Sequence, residues 1–245
     1  MTAGSGTKGR WGRIVRYAFG GSLGMLAGVN LLIGSPWYLC LGIAATALVI
    51  ILGRRRIFRP AVNRTTNEIV CRYIPWFEGN AYVLNVLLPL LGVASIAAGS
   101  APGNPGWLRI TGIVLLAVTP LFTYSAVRMW WRCLLCITPS ALAVRLAGPK
   151  DELTEIPRTR VDSIKPKMVP NAVSGAQSLQ VEIAYLPAEL SSETPRTVVV
   201  GLQLSVQPNN LLDALVAWKD AANDDSTKLL DRIERILRGR EKAGM

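Results

Sequence analysis

Along this chain the apolar residues come first in long unbroken runs and later in short runs between polar turns. The segments 14–34 and 36–53, the latter reading PWYLCLGIAATALVIILG, are each 18 to 21 residues long, and Arg16 is the only charge in them. Residues 81–99 and 108–127 form a second pair of similar length, with Arg109 at one end. About 20 apolar residues are needed to cross a bilayer as a helix. Long side chains near a span end can reach the headgroups, so Arg16 and Arg109 do not disqualify their segments. The pattern therefore predicts a membrane α domain of four transmembrane helices in two hairpins over residues 1–131. The first run has a basic flank like a signal peptide, but it is long, lacks a small-residue cleavage site, and is followed almost at once by another span.

After Arg132 the period shortens. Residues 132–138, 141–146, 154–164, 179–186 and 197–204 read as strands of an antiparallel sheet separated by turn-rich segments such as GPKDE. Pro208 and Asn209 then open NLLDALVAWKDAA, whose Leu211, Leu212, Leu215, Val216 and Trp218 fall on one helical face. Together these predict a soluble domain over 132–222. The tail, 223–245, contains STKLLDRIERILRGR, with Leu229, Leu230, Ile233, Ile236 and Leu237 on one face, Ser226 as a cap, and Asp231–Arg235 and Glu234–Arg238 as i,i+4 pairs. Three uses are open for that helix. It packs on its own domain, presents Leu229, Ile233, Ile236 and Leu237 to a partner, or lies on the membrane through Arg235, Arg238 and Arg240.

Charge sharpens the division. The 245 residues carry a net charge of +11. Up to Ser140 there are thirteen basic residues against Glu68 and Glu78, and from Ala141 onward fourteen of each sign. The whole excess thus lies in the apolar half. A nucleic-acid-binding domain would carry its basic face on the soluble fold, so no nucleic-acid partner is expected. The basic residues sit in the N-terminal tail, in the segment after residue 53 and after residue 127, whereas the segment SAPGNPGW is uncharged. Lys and Arg gather on the cytoplasmic side of short loops, which predicts a multi-pass protein of the cytoplasmic (inner) membrane with both termini cytoplasmic. Arg54, Arg55, Arg56 and Arg59 then anchor the chain at the inner leaflet, facing anionic headgroups. Trp11, Trp37, Tyr38, Trp76, Phe77, Trp107, Trp130 and Trp131 fall at predicted span ends, where amphipathic rings sit well.

Candidate chemistry is sparse. The chain has no histidine, which removes the commonest general base and metal ligand. Cys40, Cys71, Cys133 and Cys136 read as packing residues, since the lone C-x-x-C has no second pair for zinc. No metal or cofactor is expected. Asp151, Glu152, Glu155 and Asp162 are the candidate carboxylates for acid/base work on lipid, and residues in a turn or on a strand edge usually stay solvated. The reading is non-enzymatic. Lys165 and Lys167 with Arg158 and Arg160 come nearest to a basic cluster in the soluble half. Gly20, Gly24 and Gly28, four residues apart, make two overlapping G-x-x-x-G patterns that admit a close-packed helix, either the next span or a larger membrane protein. Asn30 and Asn85 are the buried polar candidates within the apolar runs, and an amide there seeks a partner on another helix.

The phrases ITPSALAVR and EIPRTRVDSI resemble the opening strands of bacterial PH-like domains over about residues 132 to 222, a β-sheet or barrel with a C-terminal helix. Such domains on membrane spans are generally binding or assembly modules, and the resemblance implies no catalytic residues. Four spans followed by a PH-like domain is also similar to the lipid uptake coordinators, accessory subunits of actinobacterial MCE lipid importers. That likeness implies an accessory role, structural or regulatory, in a larger inner-membrane complex such as a fatty-acid-importing ABC-type transporter. An autonomous protein binding anionic lipid is the alternative.

Overall fold

The computed structural model describes residues 5–52, 57–148, 152–170, 177–187, 195–221 and 225–240. The chain divides into two compact units, Met1–Arg56 with Glu78–Ala126, and Ile57–Phe77 with Val127–Met245.

The first unit is helical. It contains α1 (Ser5–Leu32), α2 (Trp37–Leu52), α3 (Gly79–Ser100) and most of α4 (Trp107–Arg132). Gly34, at φ 77°, ends α1 in the left-handed region that favours glycine, and the Ser35 N–H closes back onto the Asn30 carbonyl. Inside α3 the backbone widens into a π turn over Val83–Leu87. Pro89 follows after one residue, Leu88. A proline ring in an α-helix collides with the carbonyl four residues back, here that of Asn85, and the wider turn gives it room.

Of the described helices only α3 and α4 are long and apolar enough to cross a membrane. The expectation of four transmembrane helices is therefore corrected in its first pair. Helix α2 has 16 residues, which at about 1.5 Å per residue falls short of a hydrocarbon core about 30 Å thick. Helix α1 has the length but not the hydropathy. Lys8, Arg10, Arg13 and Arg16 lie in it, and Gly20, Gly21, Gly24, Gly28 and Asn30 dilute its apolar part.

The second unit holds two antiparallel sheets. The first runs in the order β1 (Val62–Arg64), β2 (Ile69–Arg72), β3 (Leu134–Ile137), β4 (Ala141–Arg145) and β5 (Thr154–Pro157). The second is β6 (Val161–Pro170), β7 (Gln177–Tyr185) and β8 (Arg196–Val200). Helices α5 (Pro208–Asp220) and α6 (Ser226–Leu237) complete it. Ile69, Leu135 and Ile156 of the first sheet, Val181 and Ile183 of the second, Leu211 and Trp218 of α5 and Ile233 of α6 meet in one fully buried core.

This too corrects the expected PH-like arrangement of a single sheet beginning at residue 132 and closed by one helix. The first sheet starts with β1 and β2, which come from between α2 and α3, and Val70 lies opposite Cys136. The single strand expected over 154–164 is two strands. Pro157 and a 3-10 turn over Arg158–Arg160 break it, so that β5 belongs to one sheet and β6 to the other. Strand β8 stops at Val200 because Gly201 takes φ 140°, where a Cβ would lie 3.3 Å from the Gln180 Cα.

The tail helix packs inward. Leu229, Ile233, Ile236 and Leu237 are each no more than 2% exposed, so the face offered as a partner surface is core. At about 1.5 to 3 kcal/mol for each large apolar side chain buried, exposing it to wait for a partner would cost the domain heavily. Its cap is Asp225, accepting from the Thr227 N–H at 3.1 Å, rather than Ser226. Glu234 and Arg238 pair at 2.8 Å, while Asp231 reaches across to Arg64 at 3.0 Å.

Candidate functional site

In the helical unit, the predicted glycine face splits. Gly20 is buried, and a Cβ there would meet the Ile51 Cγ1 at 2.6 Å, so α2 fills this position. Gly24 and Gly28 are exposed, with no atom within 4 Å of where a Cβ would stand. Four residues span about 400° of an α-helix, so each step of four turns the face by about 40°. The stripe that meets α2 leaves the glycines after Gly20 and continues through buried Ala27.

The backbone-level seam lies elsewhere, between α3 and α4. A Cβ on Gly112 would stand 2.5 Å from the Gly92 carbonyl oxygen, and one on Gly99 would stand 2.4 Å from the Arg109 nitrogen. Gly92 and Gly99 are seven residues apart and so share one helix face. That spacing was the available signal, and a search for glycines four apart passes over it.

The two asparagines also part ways. Asn30 bonds locally, donating to the Leu26 carbonyl at 2.8 Å and accepting from the Ser35 hydroxyl at 3.0 Å. Asn85, inside the π turn, donates to the Ala81 carbonyl at 2.8 Å and accepts from the Thr123 hydroxyl of α4 at 3.0 Å. Only Asn85 joins two helices in the expected way.

In the second unit the outward face of the β1–β2 hairpin floors a cleft of about 630 Å³. Side chains alternate along a strand. Ile69 and Cys71 therefore point into the core, while Glu68, Val70 and Arg72 line the cleft. Arg59, Ile74 and Phe77 line it too, as does Arg238 from just beyond α6. The Arg59 guanidinium lies over the Phe77 ring, 5.5 Å from its centroid. Arg238 is held by the Glu234 carboxylate and donates to the Val62 carbonyl at 3.3 Å. Of the basic run expected to face headgroups, Arg59 is thus placed in the cleft, whereas Arg54, Arg55 and Arg56 lie outside the described residues.

Three other basic residues of the second unit have structural duties. Arg158 donates to the Lys219 carbonyl at 3.1 and 3.3 Å and to the Pro139 carbonyl at 3.4 Å. Lys167 pairs with Glu182, and Lys219 donates to the Asp162 carbonyl.

All four cysteines are buried and free. Burial, followed by the nearby Cys136, pushes the Cys71 thiol up to about 12. Cys136 is raised to about 12 by burial first, then by its hydrogen bond to Glu68 and that carboxylate's charge. Its thiol donates to the Glu68 Oε2 at 2.8 Å. A thiol held neutral is a poor nucleophile and a poor metal ligand. Among the described residues no group of three His, Cys, Asp or Glu is placed to hold a metal.

No protein-family model matches the chain, and no match is found among curated proteins or solved structures.

Proposed function

We propose that the chain is a non-enzymatic accessory subunit of a larger inner-membrane complex, docked through its helical unit. The observation that carries this reading is the unfilled glycine face of α1. Gly21, Gly24 and Gly28 meet no atom within 4 Å at their Cβ positions, and their exposed apolar neighbours include Met25, Leu31 and Leu32. Small residues let a second helix approach to backbone distance, and the exposed apolar side chains beside them give that helix surface to cover.

Helices α3 and α4 cross the bilayer in this reading, joined by the uncharged segment 101–106. The arginine-bearing segments at their other ends then place the second unit in the cytoplasm. A lipid-importing ABC-type transporter is the host complex that this reading tests for. The test is purification of the tagged chain from its native membrane in mild detergent, with mass spectrometry of what accompanies it. A permease and an ATPase in stoichiometric yield, lost on Gly24→Leu, is the expected result. Recovery of the chain alone overturns the reading.

A further inference from the structure

We infer that the cleft on the outer face of the β1–β2 hairpin is a binding site for a phosphomonoester group, with Arg59 and Arg72 as its two free ligands and Arg238 as a fixed third. The inference stands apart from the docking role, since it concerns the second unit alone.

The geometry is that of a prepared anion seat. Arg59 and Arg72 meet no carboxylate among the described residues. The Arg59 guanidinium lies over the Phe77 ring, a contact that does not use its N–H groups, and a planar guanidinium presents paired donors matched to a phosphate. Phe77 is itself held, since its carbonyl accepts from the Phe58 N–H at 2.8 Å. Arg238, anchored by Glu234 and by the Val62 carbonyl, cannot swing away. Among the described residues the only carboxylate in the lining is Glu68, and its Oε2 is engaged by the Cys136 thiol. Like charges gathered in a concavity raise the local potential and draw in a counter-ion. The volume, about 630 Å³, lies inside the usual range for small-ligand pockets of roughly 300 to 1,000 Å³.

Two sources carry a phosphomonoester, the headgroup of phosphatidic acid and a free sugar or glycerol phosphate. The surroundings favour the lipid. Trp76, next in sequence to Phe77, packs edge-on against Trp130 with ring centroids 5.0 Å apart. Both rings are partly exposed, as are Phe58 and Trp131. Exposed aromatic rings beside arginines are what a headgroup-level surface presents.

The experiment uses the full chain in dodecyl maltoside and measures binding of dioctanoyl phosphatidic acid, dioctanoyl phosphatidylcholine and glycerol 3-phosphate by thermophoresis. Saturable binding of the phosphatidic acid but not the phosphatidylcholine is expected. Arg59→Gln with Arg72→Gln should weaken it by about tenfold per arginine. The charge-matched pair Arg160→Gln with Lys165→Gln, on the exposed 3-10 turn and β6, should leave it unchanged. Glycerol 3-phosphate binding as tightly as the lipid supports the anion seat and assigns it a soluble source. Three results overturn the inference: equal binding of both lipids, an equal loss in the control pair, or no saturable binding of either phosphate.

Discussion

Gly112 of α4 lies against the carbonyl of Gly92 in α3 so closely that even a methyl group would stand 2.5 Å from the oxygen, with the Ile96 nitrogen 2.8 Å away. Both obstacles are backbone, so neither yields by rotating a side chain. Gly112→Ala must therefore push the helices apart. Overpacking of this kind costs about 1 to 3 kcal/mol, and the thermal midpoint of the detergent-solubilised protein should fall accordingly. Gly24→Ala meets nothing within 4 Å, and it removes a helix-interior glycine that costs about 1 kcal/mol relative to alanine. That variant should match or exceed the parent, and a fall equal to that of Gly112→Ala would refute the assignment of the seam.

The same helix pair is joined by the Thr123 hydroxyl donating to the Asn85 Oδ1. Interhelical hydrogen bonds of this kind average about 0.6 kcal/mol and reach about 1.7. A double-mutant cycle of Asn85→Ala and Thr123→Val should return a coupling of that size. A coupling of zero would mean that the π turn, set by Pro89, holds Asn85 in place without help from α4.

These seams differ in how far the sequence discloses them. The five apolar positions of α6 are readable because a 3.6-residue period over twelve residues is a local property, and all five are buried. Asn85 is readable as an amide needing a partner, though not which partner. The strands β1 and β2 are not readable. They span three and four residues, too few to establish alternation, and they lie among arginines in a stretch that looks like a basic loop. What makes them strands is the pairing of β2 with β3, far along the chain, and of β1 with β2. The cleft is hidden for the same reason. Arg59 belongs to a visible basic run, but Arg72 and Arg238 join it only once the hairpin and α6 are in place. For the first pair of apolar runs the error was one of length and dilution, because counting apolar residues ignores where the turn at Gly34 and the glycines of α1 fall.

The buried thiols make a pH prediction. Cys71 and Cys136 rise from an ordinary 9.0 to about 12 in the folded protein. Between those values the unfolded chain releases protons that the folded chain retains, so stability declines with rising pH. The contribution is intact below pH 9 and is lost progressively as pH climbs towards 12. The urea midpoint should accordingly drop between pH 9 and 11, and Cys136→Ser should flatten the slope. At pH 8 iodoacetamide should label both residues slowly in the native protein and quickly in urea. Native labelling of Cys136 at the rate of a free thiol would show that the fold does not hold it neutral.

Arg158 provides the sharpest distinction between a binding role and a structural one. Its sequence neighbours suggested a headgroup cluster, yet its Nε and Nη2 both donate to the Lys219 carbonyl at the end of α5, and its Nη1 donates to the Pro139 carbonyl. The guanidinium also lies over the Trp218 ring, 5.4 Å from the centroid, while the Trp218 indole N–H donates to the Thr138 carbonyl at 2.7 Å. One planar group thus joins the β3–β4 turn, the β5–β6 break and the C-terminus of α5. Lysine keeps the charge but offers neither the fork nor the flat face. Arg158→Lys should therefore destabilise the protein by about 1 to 3 kcal/mol and perturb the near-ultraviolet circular dichroism of Trp218, with Trp218→Phe as the assignment control. It should leave binding of phosphatidic acid unchanged. If Arg158→Lys instead weakened lipid binding at unaltered thermal stability, Arg158 would belong to a ligand site and the cleft would not be the place where the second unit meets anions.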